Sequence, residues 1–122
     1  MENTKASNVG SGVKLDHDKV DITFVFEYFP RALEAVAKVS EFGARKYARA
    51  GWRTVPDALR RYSAALGRHL LKEQTEGPYD ITDSQLLHAA QVAWNALARL
   101  EKLLEDGCPL SKDPTEIQSE NQ

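Results

Sequence analysis

This chain of 122 residues contains a single cysteine, and it has no apolar run as long as a membrane span. Cys108 has no partner for an intrachain disulfide, which excludes a disulfide framework and favours a reducing compartment. Neither a charged-then-apolar N-terminal pattern nor an apolar stretch of about 18 residues is present. We therefore expect a cytoplasmic protein that is neither secreted nor inserted into a membrane.

Neither sign of charge dominates the composition. The chain has 16 Lys and Arg against 18 Asp and Glu, which gives a net charge of −2. Such a chain has no overall positive field for nucleic acid, and its basic residues alternate with acidic ones along the predicted helices. A DNA-binding domain is therefore disfavoured, and the 42% hydrophobic content fits one ordinary domain.

The two ends of the chain are polar and have little to bury. We predict flexible tails over residues 1–13 and 106–122, with the folded domain over residues 14–105. Near its start, residues 20–28 alternate strictly between apolar and polar side chains, which locally predicts a short strand, although a lone strand would have nothing obvious to pair with.

Three longer segments have helical periodicity and clear start and stop signals. The first begins at Pro30 and ends at about Arg49. The second begins at Pro56-Asp57 and ends before Gly77-Pro78. The third begins at the capping-box sequence Thr-x-x-Gln of residues 82–85 and ends at about Leu104. The last helix is expected to bury Leu86, Ala90, Ala93, Leu97, Leu100 and Leu104. The predicted fold class is all-α, an antiparallel helical bundle with flexible polar termini.

Two titratable residues fall on the apolar face of the second predicted helix. His69 and Glu73 are spaced i, i+4 and share that face with Tyr62 and Leu66. Burying a carboxylate beside an imidazole is unfavourable unless each finds a partner. The two side chains are either a structural pair, or a site in which Glu73 is a metal ligand or general base and His69 is its partner or a phosphate contact.

The first and third helices each carry a polar row with two interpretations. Glu34, Lys38, Glu41 and Arg45 form either a solvated stripe of ion pairs or, under a second subunit, a source of carboxylate ligands for Mg²⁺ or Mn²⁺. On the third helix, the row formed by His88, Gln91 and Asn95 is either a solvated face or a site. Asp80 and Asp83 precede that helix, where carboxylates either stabilise the helix N-terminus or complete a metal site.

Two loops offer further candidates. Lys14, Asp16 and Lys19 lie in a charged segment, which is either an ordinary linker or a lysine pair that binds phosphate oxygens. Trp52 follows the first long helix, where it either stacks on a nucleobase or fills a gap in the core. No Walker loop, zinc spacing, nucleophile elbow or dinucleotide fingerprint is present.

Several sequence motifs together resemble a known family. They are Gly12-x-Lys14-x-Asp16-x-x-Lys19, Phe42-Gly43-Ala44-x-Lys46-Tyr47, Trp52, Arg68-His69-Leu70, and Ser84 with His88 and Asn95. Over residues 12–104 the chain resembles the phage and bacterial dATP/dGTP pyrophosphohydrolases, which are MazG-like all-α nucleoside triphosphate pyrophosphohydrolases. The resemblance implies hydrolysis of a purine deoxynucleoside triphosphate to the monophosphate and pyrophosphate, with Mg²⁺ or Mn²⁺ as cofactor.

A bundle this short has little room for a deep pocket, so we expect a homodimer or homotetramer whose subunits share the nucleotide site. We expect it in the host cytoplasm if the chain is phage-encoded. The reaction would serve purine deoxynucleotide pool control or 2-aminoadenine DNA synthesis. The alternative is a non-catalytic helical nucleotide sensor or phage interaction module. Relatives carry a second histidine where this chain has Gln91 and more often Glu where it has Asp83.

With the resemblance, the candidate residues sort into three roles. The predicted catalytic residues are Glu34, Glu73 and His69. The predicted metal ligands are Glu34, Glu41, Glu73, Asp80 and Asp83. The predicted substrate-binding residues are Lys14, Asp16, Lys19, Lys38, Lys46, Tyr47, Trp52, His88 and Asn95.

Overall fold

The computed structural model describes residues 19–121 of the chain, with side chains for residues 19–118. The described part contains α1 (Thr23–Tyr28), α2 (Pro30–Lys46), a short 3₁₀ helix (Gly51–Thr54), α3 (Ala58–Glu76), α4 (His88–Glu105) and α5 (Pro114–Asn121). These residues form no β-strand, and their one β-bridge joins Tyr79 to Leu87. The predicted all-α fold class is confirmed. The chain divides after Pro30 into two units.

The first unit contains α1, where the alternating pattern predicted a strand. That prediction is wrong, because Thr23–Tyr28 is helical. Asp21 Oδ1 accepts hydrogen bonds from the backbone N–H and the hydroxyl of Thr23, which sets the first turn. A helix satisfies its backbone groups within the segment, whereas a single strand needs a neighbour to do so.

The second unit begins with α2 and α3, whose ends have local causes. Helix α2 stops at Lys46, three residues before the predicted end, and Ala50 just beyond it has a left-handed backbone with φ of 63°. Helix α3 ends directly before Gly77, whose φ of 107° suits a residue without a side chain. The predicted stop at Gly77-Pro78 is confirmed.

Helices α3 and α4 pack against each other and supply the core. His69 near the end of α3 contacts His88 at the start of α4, whereas Ser63 earlier in α3 accepts a 2.6 Å hydrogen bond from Arg99 later in α4. The two helices are therefore antiparallel, as predicted. Their buried cluster consists of Ala58, Tyr62 and Ala98, and it is covered by Trp52, Val55 and Trp94.

Helix α4 starts at His88, six residues after Thr82, where the capping box was predicted to begin the helix. The predicted helix start is therefore wrong. The preceding residues 77–87, here called the 77–87 loop, turn back on themselves. The Asp80 N–H donates to Leu86 O at 2.9 Å and the Gln85 N–H donates to Asp80 O at 2.8 Å. Gln85 also has a left-handed backbone with φ of 63°, which a continuous helix does not allow.

The burial predicted for α4 is confirmed at Ala90 but wrong at two of its leucines. Leu97 and Leu100, expected in the core, are 48% and 51% exposed. His88 and Asn95, which belong to the polar row, are buried instead. At 100° per residue the two sets lie on opposite sides of the helix. The leucine side of α4 therefore faces outward in the single chain, and the polar row faces α3 and the 77–87 loop.

The segment after α4 was predicted as a flexible tail, and within its described residues it contains α5. Asp113 caps this helix, since its Oδ1 accepts hydrogen bonds from the backbone N–H groups of Thr115 and Glu116 at 2.9 and 3.1 Å. Cys108 lies before it and is exposed. Across the described residues, each helix is too short or too polar to cross a bilayer.

Candidate metal centre

Three titratable side chains meet between α3, the 77–87 loop and α4. His69, Asp80 and His88 each offer one ligand atom, and these three atoms lie within 4.8 Å of one another. Two imidazoles and a carboxylate at this spacing form a donor set that binds divalent metals in proteins. We call these three residues the His–Asp–His group.

The backbone fixes all three positions. His69 lies on α3 and is held by helical hydrogen bonds, while His88 is the first residue of α4. The His88 N–H donates to Pro78 O at 2.8 Å, which ties the start of α4 to the beginning of the 77–87 loop. Asp80 is buried and held by the backbone bonds that close this loop. Backbone hydrogen bonds therefore position all three members of the group.

The two imidazole rings contact each other directly. His69 Nδ1 lies 2.9 Å from His88 Nδ1, so one nitrogen donates a hydrogen bond and the other accepts it. His88 is 0% exposed, and its Nε2 has no hydrogen-bond partner among the described residues. An unpaired buried nitrogen is costly, which is the pattern expected where a cation completes the site.

The surroundings of His69 favour the neutral form of its ring. Burial is the main factor that lowers the pKa of His69, and the nearby His88, Lys72 and Arg68 lower it further. The negative charge of Asp80 acts in the opposite direction and is outweighed. A neutral imidazole retains the lone pair that a metal ion needs.

A hydrogen-bond network extends from Asp80 into α4. The side-chain amide of Gln91 donates to Asp80 Oδ2 at 3.1 Å and to Ser84 Oγ at 2.7 Å. Ser84 Oγ also accepts a 3.1 Å hydrogen bond from the Leu86 N–H. One α4 side chain thus joins the carboxylate of the His–Asp–His group to the turn of the loop.

Of the five predicted metal ligands, the structure brings only Asp80 into the His–Asp–His group. Glu34 and Glu41 are exposed on α2, and Glu73 is half-buried on α3 outside the group. The ring of His69 pairs with His88 rather than with Glu73. Asp83 is exposed and forms a 3.4 Å ion pair with Lys46.

The predicted substrate-binding residues are dispersed. Lys14 and Asp16 lie outside the described residues, and Lys19, Lys38 and Tyr47 are exposed. Lys46 is paired with Asp83, and its pKa is raised by a hydrogen bond to the Tyr47 side chain and then by Asp83. Asn95 is buried and donates to Gln91 O at 2.8 Å.

Trp52 belongs to an aromatic cluster, and it also lines a cavity between α2 and α4. Its ring lies edge-on to Trp94 and Tyr62, with centroids 5.7 and 6.4 Å away, and its carbonyl accepts a 2.6 Å hydrogen bond from the Tyr62 hydroxyl. Tyr62 precedes His69 by seven residues, which is about 10 Å along α3. The aromatic cluster and the His–Asp–His group thus occupy different levels of the α3–α4 pair.

Sequence reasoning missed two features of this site. It treated His69 and His88 separately, and it gave Gln91 and Ser84 no role. The available signal was the unusual neutral row of His88, Gln91 and Asn95 on a helix from a highly charged chain. The pairing with α3 depends on the register of the two helices, which periodicity alone does not provide.

Comparison with known proteins gives a family for this arrangement. A protein of Salmonella phage PMBT28 named dATP/dGTP diphosphohydrolase is 32% identical over 83 residues, which is 68% of this chain and 27% of that protein. The chain therefore corresponds to about a quarter of the length of this relative. No solved structure matches the chain. The family described as dATP/dGTP diphosphohydrolase, N-terminal, matches residues 9–108, and the chain belongs to this family.

Proposed function

We propose that this protein hydrolyses dATP and dGTP to the monophosphate and pyrophosphate with a divalent cation bound at the His–Asp–His group. The observation that carries the proposal is the convergence of His69, Asp80 and His88 within 4.8 Å. The family match and the name of the phage relative support the reaction and the substrates. Control of purine deoxynucleotide pools and supply of a 2-aminoadenine pathway are both consistent with this reaction.

The donor set suits some cations better than others. Carboxylate suits both Mn²⁺ and Mg²⁺, but Mn²⁺ belongs to the transition-metal series that also binds nitrogen ligands, whereas Mg²⁺ prefers oxygen ligands and retains several waters. Of the two predicted cofactors, Mg²⁺ and Mn²⁺, the His–Asp–His group therefore favours Mn²⁺. When bound, such a cation neutralises triphosphate charge and lowers the pKa of a water molecule.

The residues around the group suit an anionic substrate. Arg68 and Lys72 lie on α3 one residue before and three residues after His69, and their positive charges reach its ring. Lys72 is half-buried, and the described residues provide no ion pair for it. The positively charged side chains of Arg68 and Lys72 are both available to attract the phosphate oxygens of a triphosphate.

A second copy of the chain is part of the proposal. The leucine side of α4 borders a cavity of about 320 Å³ between α2 and α4, which is also lined by Val36 and Trp94. Leu97 and Leu100 are about half exposed there. The cavity is also lined by the polar side chains of Ser40, Arg53 and Glu101. Exposed leucines bordered by polar groups are typical of an oligomer interface, which supports the predicted homodimer or homotetramer.

The test is a product analysis of the metal-stripped, full-length chain. It is incubated with each deoxynucleoside triphosphate, with Mn²⁺, Mg²⁺ or neither, and nucleotides and phosphates are resolved. We expect pyrophosphate and a monophosphate from dATP and dGTP only when a cation is present, with loss of turnover in His88→Gln. Stepwise release of phosphate contradicts the reaction. Nucleotide binding without turnover supports the sensor alternative.

A further inference from the structure

Gln91 lies on α4 three residues after His88, and it is outside the His–Asp–His group and outside the residues predicted to be catalytic, metal-binding or substrate-binding. We infer that Gln91 is a positioning residue, which orients the Asp80 carboxylate for the cation without touching the cation itself. The inference rests on the proposed function, because it needs a cation at the His–Asp–His group.

The first step is the geometry of the Gln91 amide. Its nitrogen carries two hydrogens, and it has one acceptor for each of them, Asp80 Oδ2 at 3.1 Å and Ser84 Oγ at 2.7 Å. Both acceptor residues are buried. Because both hydrogens are used, the amide plane is fixed by two contacts that lie on the 77–87 loop.

The second step concerns the two oxygens of Asp80. Gln91 occupies Oδ2, and no described residue donates a hydrogen bond to Oδ1. A carboxylate with one oxygen engaged by a neutral amide keeps its second oxygen for a ligand. Gln91 therefore selects one orientation of the carboxylate without competing for the cation.

The third step is that Gln91 is itself immobilised. Its backbone oxygen accepts the 2.8 Å hydrogen bond from the buried Asn95 side chain. On the loop side, Ser84 is fixed by the Leu86 N–H at 3.1 Å. Outer partners that orient a metal ligand in this way typically change metal affinity by about 10- to 100-fold when they are removed.

The experiment titrates Mn²⁺ into the metal-stripped, full-length chain by calorimetry. Gln91→Met conserves the side-chain volume and removes both donors. Gln74→Met is the matched control, because Gln74 is exposed on α3 and its side chain makes no hydrogen bond among the described residues. We expect about 10- to 100-fold weaker Mn²⁺ binding in Gln91→Met and unchanged binding in Gln74→Met. The electron paramagnetic resonance spectrum of bound Mn²⁺ should change only in Gln91→Met.

Two results overturn the inference. One is unchanged Mn²⁺ affinity in Gln91→Met, including the case in which only its melting temperature falls, because a purely structural role moves stability alone. The other is absence of Mn²⁺ binding by the wild-type chain, which rejects the proposed function as well and so differs from the first result. Should Gln91→Met not fold, Ser84→Ala removes one of the two contacts, and the inference then requires a loss of affinity up to about 10-fold.

Discussion

The Nδ1 atoms of His69 and His88 lie 2.9 Å apart, and this contact joins α3 to α4 through a single hydrogen. At that distance one ring must accept while the other donates, so the pair requires at least one neutral imidazole. Protonation of both rings would replace an attraction by a repulsion inside the protein. The contact therefore links the stability of the α3–α4 pair to pH.

The first prediction concerns the melting temperature of the metal-free protein. The pKa of His69 is lowered by burial and by neighbouring positive groups, so the folded state binds fewer protons than the unfolded state. The stabilisation is present above the unfolded pKa of about 6.5 and is lost as the pH falls below it. We expect the melting temperature to drop between pH 7 and pH 5, and to drop less in His69→Gln. If the melting temperature fell equally steeply with pH in wild type and in His69→Gln, His69 would not be the residue responsible for the pH dependence.

The second prediction separates Asp80 from the carboxylates of α2. Asp80→Asn keeps the side-chain shape but replaces the buried carboxylate by a neutral amide. We therefore expect Mn²⁺ affinity to fall at least about 100-fold, which is more than the loss expected on removing an outer partner such as Gln91. Glu34→Gln should keep its affinity within about twofold, since Glu34 is exposed and outside the group. Calorimetry measures both values, and circular dichroism checks that the helices remain. A larger loss of Mn²⁺ affinity in Glu34→Gln than in Asp80→Asn would place the cation at α2 instead.

The third prediction concerns assembly. Leu100 is 51% exposed on the leucine side of α4, and a carboxylate placed there would have to be desolvated in an interface. Leu100→Glu should therefore convert the proposed oligomer to a monomer, as measured by light scattering after gel filtration. Leu110→Glu is the control, because Leu110 is exposed beyond the end of α4. Identical masses for wild type and Leu100→Glu would remove this face from the interface.

The fourth prediction concerns the aromatic cluster. Tyr62→Phe removes the 2.6 Å hydrogen bond to Trp52 O and leaves that carbonyl without this donor. We expect the free energy of unfolding to fall by about 1 kcal/mol. Mn²⁺ affinity should not change, since the cluster lies about 10 Å along α3 from His69. Urea unfolding followed by tryptophan fluorescence gives the first value, with Tyr79→Phe as an exposed control. A parallel loss of Mn²⁺ affinity would show that the aromatic cluster and the His–Asp–His group are coupled.

The sequence predicts the long helices well because their signals are local. Pro30 begins α2 and Gly77 terminates α3, and each acts through its own backbone geometry. The start of α4 was missed for the opposite reason. The capping-box pattern at residues 82–85 satisfies a local rule, but the backbone bonds of Asp80 to Leu86 and Gln85 form a turn that competes with it.

The site is harder to predict because it depends on which face of α4 is covered. A leucine stripe normally marks the core, and in this chain the buried side carries His88 and Asn95 instead. Periodicity identifies two faces but not their partners. His69 and Asp80 were already candidates from the sequence, whereas their convergence with His88 follows only from the α3–α4 register and the turn of the loop.

The 77–87 loop carries one ligand of the His–Asp–His group and connects the two helices that carry the others. Opening of the turn that holds Asp80 would separate it from both imidazoles, so a bound ion should protect the hydrogen-bonded amides of Asp80 and Gln85 from exchange. Occupancy of the site would then slow hydrogen–deuterium exchange in the loop in proportion to free cation concentration, with the far end of the helix pair exchanging as before.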